Sequence, residues 1–198
     1  LAIISGPSHA EEVALEKLTY LTVGTKNSKL GKYMSELLKT KYIISTVSND
    51  MIGIEYSSSL KNIYSIMVGI AHGLGYGDNF LSVLISHCSK EMSDFIKDVH
   101  KTSRKINQSA YLGDLLGTTY SSFSRNRTFG NMIGKGYSIK SAKAEMNMIV
   151  EGYYATKNAF MLSKKLSTKF LIIDFCYKIL FENKSAKRQM KELSKYLY

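Results

Sequence analysis

The stretch NDMIGIEYSSSLKNIYSIMVGIAHG, residues 49–73, decides the fold. Its apolar side chains recur every three or four residues, which is the spacing of one face of an α-helix. The spacing predicts a helix over 49–72, about 36 Å long at the usual rise per residue, that ends at the glycines of GLGYGDN. The positions on this face are Ile52, Leu60, Ile63, Met67, Ile70 and Leu74.

The next segment, residues 78–99, shows the same spacing more cleanly. We expect Asp78 to cap the start of this second helix. The two long helices are then expected to pair as the hairpin at the centre of the core. The apolar positions of the second helix are Phe80, Leu81, Leu84, Ile85, Cys88, Met92, Phe95, Ile96 and Val99.

The rest of the chain also favours helices, because it has a single proline and few alternating β-branched runs. Ser124, Ser138 and Ser185 stand where the side chain of an N-cap residue belongs. The fold class predicted is therefore mainly α. Shorter helices are expected over 110–116, 125–133, 139–146, 150–166, 172–181 and 186–197.

The first 47 residues differ, since short apolar runs alternate there with one helical segment. LAII, LTVGT and KYIISTV predict strands. Ser8 and Glu11 have the spacing of a capping box, with Pro7 close to the helix start. This opening is typical of the end of an α/β sheet. Between the strands, KLGKYMSELLKT predicts an amphipathic helix whose apolar side carries Leu30, Tyr33, Leu37 and Leu38.

Composition limits the classes of protein available. The chain has 198 residues, 44% of them apolar, which suffices for one ordinary domain. Its two cysteines, Cys88 and Cys176, lack CxxC spacing and predict neither a disulfide framework nor a zinc site, so a reducing cytoplasm is expected. The apolar run 170–181 contains Asp174 and Lys178 and is too short for a membrane span.

The net charge of +11 allows two interpretations. A basic surface can bind nucleic acid, or it can simply be the solvated side of lysine-rich helices. Residues 155–198 hold ten basic and three acidic side chains, as in KRQMKELSKYL. These lysines lie in amphipathic helices without a recognisable nucleic-acid motif, which favours the solvated surface.

Two motif-like features predict little chemistry. The glycines of GLGYG follow a helix, whereas a dinucleotide-binding GxGxxG follows a strand. None of the four histidines has HExxH spacing, and only His9, beside Glu11 and Glu12, even suggests a metal ligand. The sequence therefore predicts no metal site.

The stretch GDLLGTTYSSFSRNR, residues 113–127, is the strongest chemical signal. Asp114 in this stretch can pair with Lys61, a lysine that lies within an otherwise small and apolar helix. Ser124, Arg125 and Asn126 fall at a predicted helix start, and a helix N-terminus that carries arginine is a favourable phosphate site. For Lys61 alone, the simpler interpretation is a side chain that extends to solvent.

Five strings of the sequence, which include the stretch just described, together resemble the C-terminal portion of the bacterial-type NAD(P)-dependent glycerol-3-phosphate dehydrogenases. The resemblance implies a helical substrate domain like the C-terminal domain of 6-phosphogluconate dehydrogenase, over 48–198. Residues 1–47 would then be a remnant of the NAD(P)-binding Rossmann domain. The matching strings are SGPSHAEEVA, NDMIGIEY, SLKNIYSIMVGIAHGLGYGDN, LGDLLGTTYSSFSRNRTFG and MIVEGYYATK.

The resemblance also implies a function: reversible hydride transfer between sn-glycerol 3-phosphate and NAD or NADP, giving dihydroxyacetone phosphate and supplying glycerol 3-phosphate for phospholipid synthesis. Lys61 would exchange the proton of the substrate hydroxyl, and Asp114 would position Lys61. The substrate-binding positions implied are Gly6, Ser8, Lys61, Asn62, Asp114, Thr118, Ser124, Arg125 and Asn126. The cofactor-binding positions implied are Ala10, Arg125, Ile149 and Glu151.

Further expectations concern the setting of the protein. We expect a cytoplasmic enzyme without nucleic-acid partners or a membrane span, and exposed helix faces allow a homodimer. The family's GxGxxG loop is not found in this sequence, so this chain alone is expected to be inactive. Two alternatives stay open: a related dehydrogenase of another small hydroxy acid or phosphorylated alcohol, and a non-catalytic basic helical binding module.

Overall fold

A computed structural model describes residues 1–197 and confirms a mainly helical protein with a small sheet at its start. Over that range, no helix combines the length and the apolar content that a membrane crossing requires. The helical part consists of α3 (Met51–Gly73), α4 (Asp78–Val99), a π-helical turn (Ser109–Gly113), α5 (Asp114–Tyr120), α6 (Arg125–Gly134), α7 (Ile139–Glu145), α8 (Glu151–Ser163), α9 (Leu171–Phe181), α10 (Ala186–Leu193) and a 3₁₀ turn (Ser194–Tyr196).

The opening residues form a three-stranded mixed sheet in the order β1-β2-β3. Its strands are β1 (Ile3–Ser5), β2 (Thr19–Gly24) and β3 (Ile43–Ser48), with helices α1 (Ala10–Ala14) and α2 (Ser28–Leu38) between them. β1 is antiparallel to β2, with Ile4 opposite Val23, whereas β2 and β3 are parallel. The predicted α/β opening is therefore present.

The predicted apolar side of α2 is buried only in part: Leu30 and Leu38 are half-buried. Tyr33 and Leu37 are both 65% exposed, whereas Gly31 and Ser35 are the buried residues of this helix. A Cβ atom on Gly31 would meet the side chains of Val47 and Thr25. Gly31 faces the sheet because a side chain there would collide with Val47, and Tyr33 and Leu37 are left outside.

The N-caps of α1 and α4 also differ from the predictions. His9 stands at the N-cap of α1 without a side-chain bond, and the Ser8 hydroxyl donates instead to the Gly6 carbonyl at 3.1 Å. The Ser8 and Glu11 capping box is therefore absent, because the turn uses the serine. Gly77, not Asp78, occupies the N-cap of α4. The expected caps Ser124, Ser138 and Ser185 are confirmed by bonds from backbone N–H groups three residues on.

Helix α3 is the centre of the core, and α4 packs against it as expected. The more extensive partner of α3, however, is α6 rather than α4. Gly69 and Gly73 of α3 face Gly130 and Gly134 of α6, and a Cβ atom on any of the four would collide with a backbone carbonyl oxygen of the opposite helix. The helices can cross this closely only because these side chains are missing.

A buried ion-pair cluster joins the start of α3 to the segment that leads into α5. The Asp50 carboxylate caps α3 through Gly53 N–H at 3.1 Å and also accepts from Arg104 and from the Tyr111 hydroxyl, the latter at 2.6 Å. Burial raises the pKa of Asp50, but these donors outweigh it and hold that pKa below its ordinary value. The cluster fixes α3 relative to the π-helical turn that precedes Asp114.

Candidate active site

A cavity of about 370 Å³ opens where the end of β1 meets α3, α5 and the first turns of α6 and α8. This volume suits a small-molecule ligand. Its charged side chains are two cations, Lys61 and Arg125, and two carboxylates, Asp114 and Glu151. The full lining is Ile4, Ser5, Gly6, Ser8, His9, Ser58, Lys61, Asn62, Asp114, Thr118, Phe123, Ser124, Arg125, Asn126 and Glu151.

Lys61 and Asp114 form the deepest charged pair of the cavity. The Lys61 Nζ atom lies 2.7 Å from both carboxylate oxygens of Asp114. The Asp114 side chain is only 4% exposed, whereas that of Lys61 is 20% exposed and keeps access to the cavity. The pair predicted from sequence is therefore present, with the lysine as the more accessible partner.

Two serines that the sequence analysis missed complete the surroundings of Asp114. The Ser5 hydroxyl donates to Asp114 Oδ2 at 3.2 Å, and Ser5 Oγ lies 2.7 Å from Ser58 Oγ. Ser58 precedes Lys61 by three residues on α3, so it lies on the same face one turn earlier. That spacing was the available signal, although serine is too common in helices and turns for it to stand out.

The opposite side of the cavity is the N-terminus of α6. The Ser124 hydroxyl caps this helix and lies 3.0 Å from Ser65 Oγ of α3. The Asn126 side-chain carbonyl accepts from Gly152 N–H at 2.9 Å, which ties α6 to the start of α8. Arg125 donates to Glu151 at 2.8 Å in a largely exposed ion pair. Ser124, Arg125 and Asn126 thus meet the cavity together, as the sequence pattern predicts.

The remaining predicted substrate positions also line the cavity. Gly6 has a φ of +129°, and a Cβ atom there would collide with the Tyr20 carbonyl, so the turn after β1 requires glycine. Thr118 donates to the Asp114 carbonyl at 2.7 Å within α5. Asn62 and Ser8 complete the set. Their roles toward a ligand stay predictions.

Two predicted cofactor positions lie outside this lining. Ala10 is exposed at the start of α1. Ile149 is 69% exposed and borders a separate depression of about 360 Å³ together with Met148 and Lys143. Ile149 precedes α8 by two residues, so it lies beside Glu151 at the rim rather than in the cavity.

His9 lines the cavity and contacts α5. Its Nε2 atom lies 3.2 Å from the Gly117 carbonyl oxygen, and its ring packs near Phe123. Within residues 1–197, no group of three or more His, Cys, Asp or Glu side chains is arranged to hold a metal ion. The contacts of His9 instead connect α1 to α5 across the cavity wall.

Comparison with known proteins supplies a family. Residues 50–191 match the family model for the C-terminus of NAD-dependent glycerol-3-phosphate dehydrogenase. Glycerol-3-phosphate dehydrogenases [NAD(P)+] of Staphylococcus aureus strains JH9 and N315 are 36% identical over 193 residues, which is 98% of this chain. The chain spans 58% of the length of these curated relatives.

Solved structures show the same likeness. The crystal structure of glycerol-3-phosphate dehydrogenase from Coxiella burnetii superposes with a TM-score of 0.92 at 32% identity, covering 97% of this chain and 59% of that one. The enzyme from Saccharomyces cerevisiae superposes at 0.82 with 23% identity, covering 94% and 57%. At that lower identity the likeness shows the fold alone.

Proposed function

The chain belongs to the NAD-dependent glycerol-3-phosphate dehydrogenase family as its C-terminal domain, and from this we propose that it binds substrate and transfers the proton in such an enzyme. The reaction is the reversible interconversion of sn-glycerol 3-phosphate and dihydroxyacetone phosphate with NAD or NADP. The observation that carries the proposal is that Lys61, paired with Asp114, and Arg125, at a helix N-terminus, line one cavity.

Lys61 is the proton donor and acceptor of this proposal. In the reducing direction its ammonium gives a proton to the carbonyl oxygen as the hydride reaches the carbon, and solvent then restores the proton. In the oxidising direction the neutral amine accepts the hydroxyl proton. Asp114 holds the Nζ atom in place through both carboxylate oxygens.

The phosphate end of the substrate is assigned to Ser124, Arg125 and Asn126. The first N–H groups of α6 and the planar guanidinium both favour a dianion. In the structure Arg125 is paired with Glu151, with side-chain exposures of 37% and 45%. Such an exposed pair contributes little, about 1 kcal/mol or less, so a phosphate can compete with Glu151 for the guanidinium.

The residues present fit one end of a dinucleotide. Arg125 and Glu151 offer polar contacts at the cavity rim, and the exposed Ile149 and Ala10 offer apolar surface nearby. When bound, the nicotinamide supplies or takes up the hydride. Gly73, Gly75 and Gly77 lie at the junction between α3 and α4 and do not form a phosphate-binding loop after a strand.

The proposal includes a division of the chain and a cellular setting. Residues 1–47 are proposed to belong to the nucleotide-binding domain and residues 48–198 to the substrate domain, because β3 ends at Ser48 and α3 begins at Met51. The enzyme is proposed to act in the cytoplasm and to supply glycerol 3-phosphate for phospholipid synthesis.

The test is turnover by the full-length enzyme that carries this domain. Wild type should oxidise NADH or NADPH when given dihydroxyacetone phosphate. Lys61→Ala should lower kcat by roughly 100-fold or more, because a positioned general acid contributes that much. Lys157→Ala, an exposed lysine of α8, is the control and should match wild type. Unchanged turnover in Lys61→Ala would refute the assigned proton donor.

A further inference from the structure

The two serines beside Asp114 form a directed chain of hydrogen bonds. Ser5 Oγ lies 2.7 Å from Ser58 Oγ and 3.2 Å from Asp114 Oδ2. Each hydroxyl has one proton, and a carboxylate paired with an ammonium can only accept. Both contacts are hydrogen bonds in one arrangement alone, in which Ser58 donates to Ser5 and Ser5 donates to Asp114.

This direction fixes what Ser58 can offer a ligand. Its proton is used by Ser5, so the Ser58 oxygen meets the cavity as an acceptor only. A ligand hydroxyl can donate to it. A ligand carboxylate at this position would instead face a lone pair with the Asp114 carboxylate behind it, which is unfavourable.

Helix α3 sets the order in which polar side chains follow one another along the cavity. Lys61 follows Ser58 by about 4.5 Å along the helix axis, and Ser65 follows Lys61 by about 6 Å, at the usual rise per residue. Ser65 Oγ contacts Ser124 Oγ at 3.0 Å, which marks the end of the cavity formed by α6. A ligand with its phosphate at α6 and its reacting carbon at Lys61 therefore has its other end at Ser58.

Resting on the proposed function, we infer that Ser58 recognises the terminal hydroxyl at carbon 1 of glycerol 3-phosphate and dihydroxyacetone phosphate. Ser5 acts as a positioning residue, because it accepts the hydrogen bond from the Ser58 hydroxyl. This leaves the Ser58 oxygen to accept a hydrogen bond from the ligand. Ser58 thus selects three-carbon monophosphates that end in an alcohol over those that end in a methyl group or a carboxylate.

The experiment compares two substrates of the full-length enzyme, dihydroxyacetone phosphate and hydroxyacetone phosphate, which lacks the terminal hydroxyl. Wild type should prefer the first. Ser58→Ala should lower kcat/KM for dihydroxyacetone phosphate roughly five- to tenfold, the usual effect of one neutral hydrogen bond, and leave kcat/KM for hydroxyacetone phosphate within about twofold. A merely structural defect would lower both together. Ser58→Thr keeps a hydroxyl and should retain the preference.

The neighbouring Ser59, exposed on the same helix, supplies the control: Ser59→Ala should leave both substrates and their ratio unchanged. The inference is overturned if Ser58→Ala leaves the ratio of kcat/KM for the two substrates unchanged, whether or not both values fall. It is also overturned if wild type has no preference between them. Either result leaves the proposed function standing. A wild type that oxidises neither NADH nor NADPH with dihydroxyacetone phosphate overturns both.

Discussion

Lys61 and Asp114 meet although 53 residues separate them in sequence. Lys61 is held by the long α3 helix, and Asp114 is the first residue of α5, directly after the π-helical turn. The Asp50, Arg104 and Tyr111 cluster joins these two elements. The geometry of the pair thus depends on two helices rather than on a flexible loop.

The proposed contact of Arg125 with the substrate phosphate can be tested by a substitution that keeps the positive charge. Arg125→Lys replaces a planar fork of donors by a point charge, so contacts to the substrate phosphate are lost. We expect KM for dihydroxyacetone phosphate to rise roughly tenfold or more while kcat changes little, since charged hydrogen bonds contribute about 1.5–3 kcal/mol each. Steady-state kinetics of the full-length enzyme measure both.

Arg188→Lys is the control for that substitution, since Arg188 is exposed on α10 away from the cavity lining. It should leave KM unchanged. If Arg125→Lys has the KM of wild type, Arg125 does not bind the phosphate.

The residues that sequence predicts best are those with unusual surroundings. A lysine within an apolar helix and a serine, arginine and asparagine at a helix start are each conspicuous. Ser5 and Ser58 are not, because their importance lies in contacts across 53 and 109 residues of sequence that no local pattern encodes. Identifying them required the fold.

The close crossing of the helices α3 and α6 depends on glycines, which have no side chain. Gly130→Ala would place a Cβ atom against the Ile66 carbonyl oxygen, which is backbone and cannot move aside. We expect the free energy of unfolding to fall by roughly 1–3 kcal/mol, as for other overpacked sites. Urea denaturation of wild type and variant measures this difference.

Gly113→Ala is the matched comparison. Gly113 has helical backbone angles, φ −60° and ψ −46°, and its Cβ would meet only an ordinary contact at 3.6 Å. This substitution should be neutral or stabilising by about 0.4–1 kcal/mol. Equal destabilisation by the two alanines would show that close helix approach is not the cause.

Apolar periodicity predicted most helices to within a few residues, yet it gave the wrong principal partner for α3 and missed the small residues that α2 buries. Both errors have one physical cause. Where backbones pack closely, the buried positions are glycine and serine, such as Gly69, Gly31 and Ser35, and a pattern of large apolar residues does not include them.

For the molecule as a whole, Glu91 makes stability depend on pH. The Glu91 carboxylate of α4 is partly buried and accepts from Ile172 and Ile173 N–H at 2.8 and 3.1 Å, which holds the start of α9. Burial is the largest influence and raises the pKa of Glu91 to about 7. Because the folded state holds the proton more tightly than the unfolded state, the contribution of Glu91 to stability is lost as pH rises from about 4.5 to about 7.

Glu91→Gln removes this titration. Between pH 5 and pH 7.5, wild type should lose about 2 kcal/mol of stability relative to the variant, measured by urea denaturation at both values. Parallel pH profiles for the two proteins would contradict the assignment of this dependence to Glu91.

The mainly helical class and the α/β opening were predictable at this scale because they follow from composition and from the change of periodicity near residue 48. The packing of α4, α5, α6, α8 and α9 against α3 was not. It depends on which helix faces can approach one another, and that is a property of three-dimensional shape.

The two ion pairs of the cavity have a consequence for how an anion enters. Lys61 is matched by Asp114 and Arg125 by Glu151, so the lining is electrically balanced although the chain as a whole carries +11. In the proposed function, binding of a phosphate is then an exchange of partners rather than the capture of an anion by a bare cation. The excess surface charge favours the approach of anions in general, and we expect the exchange at Arg125 to select among them.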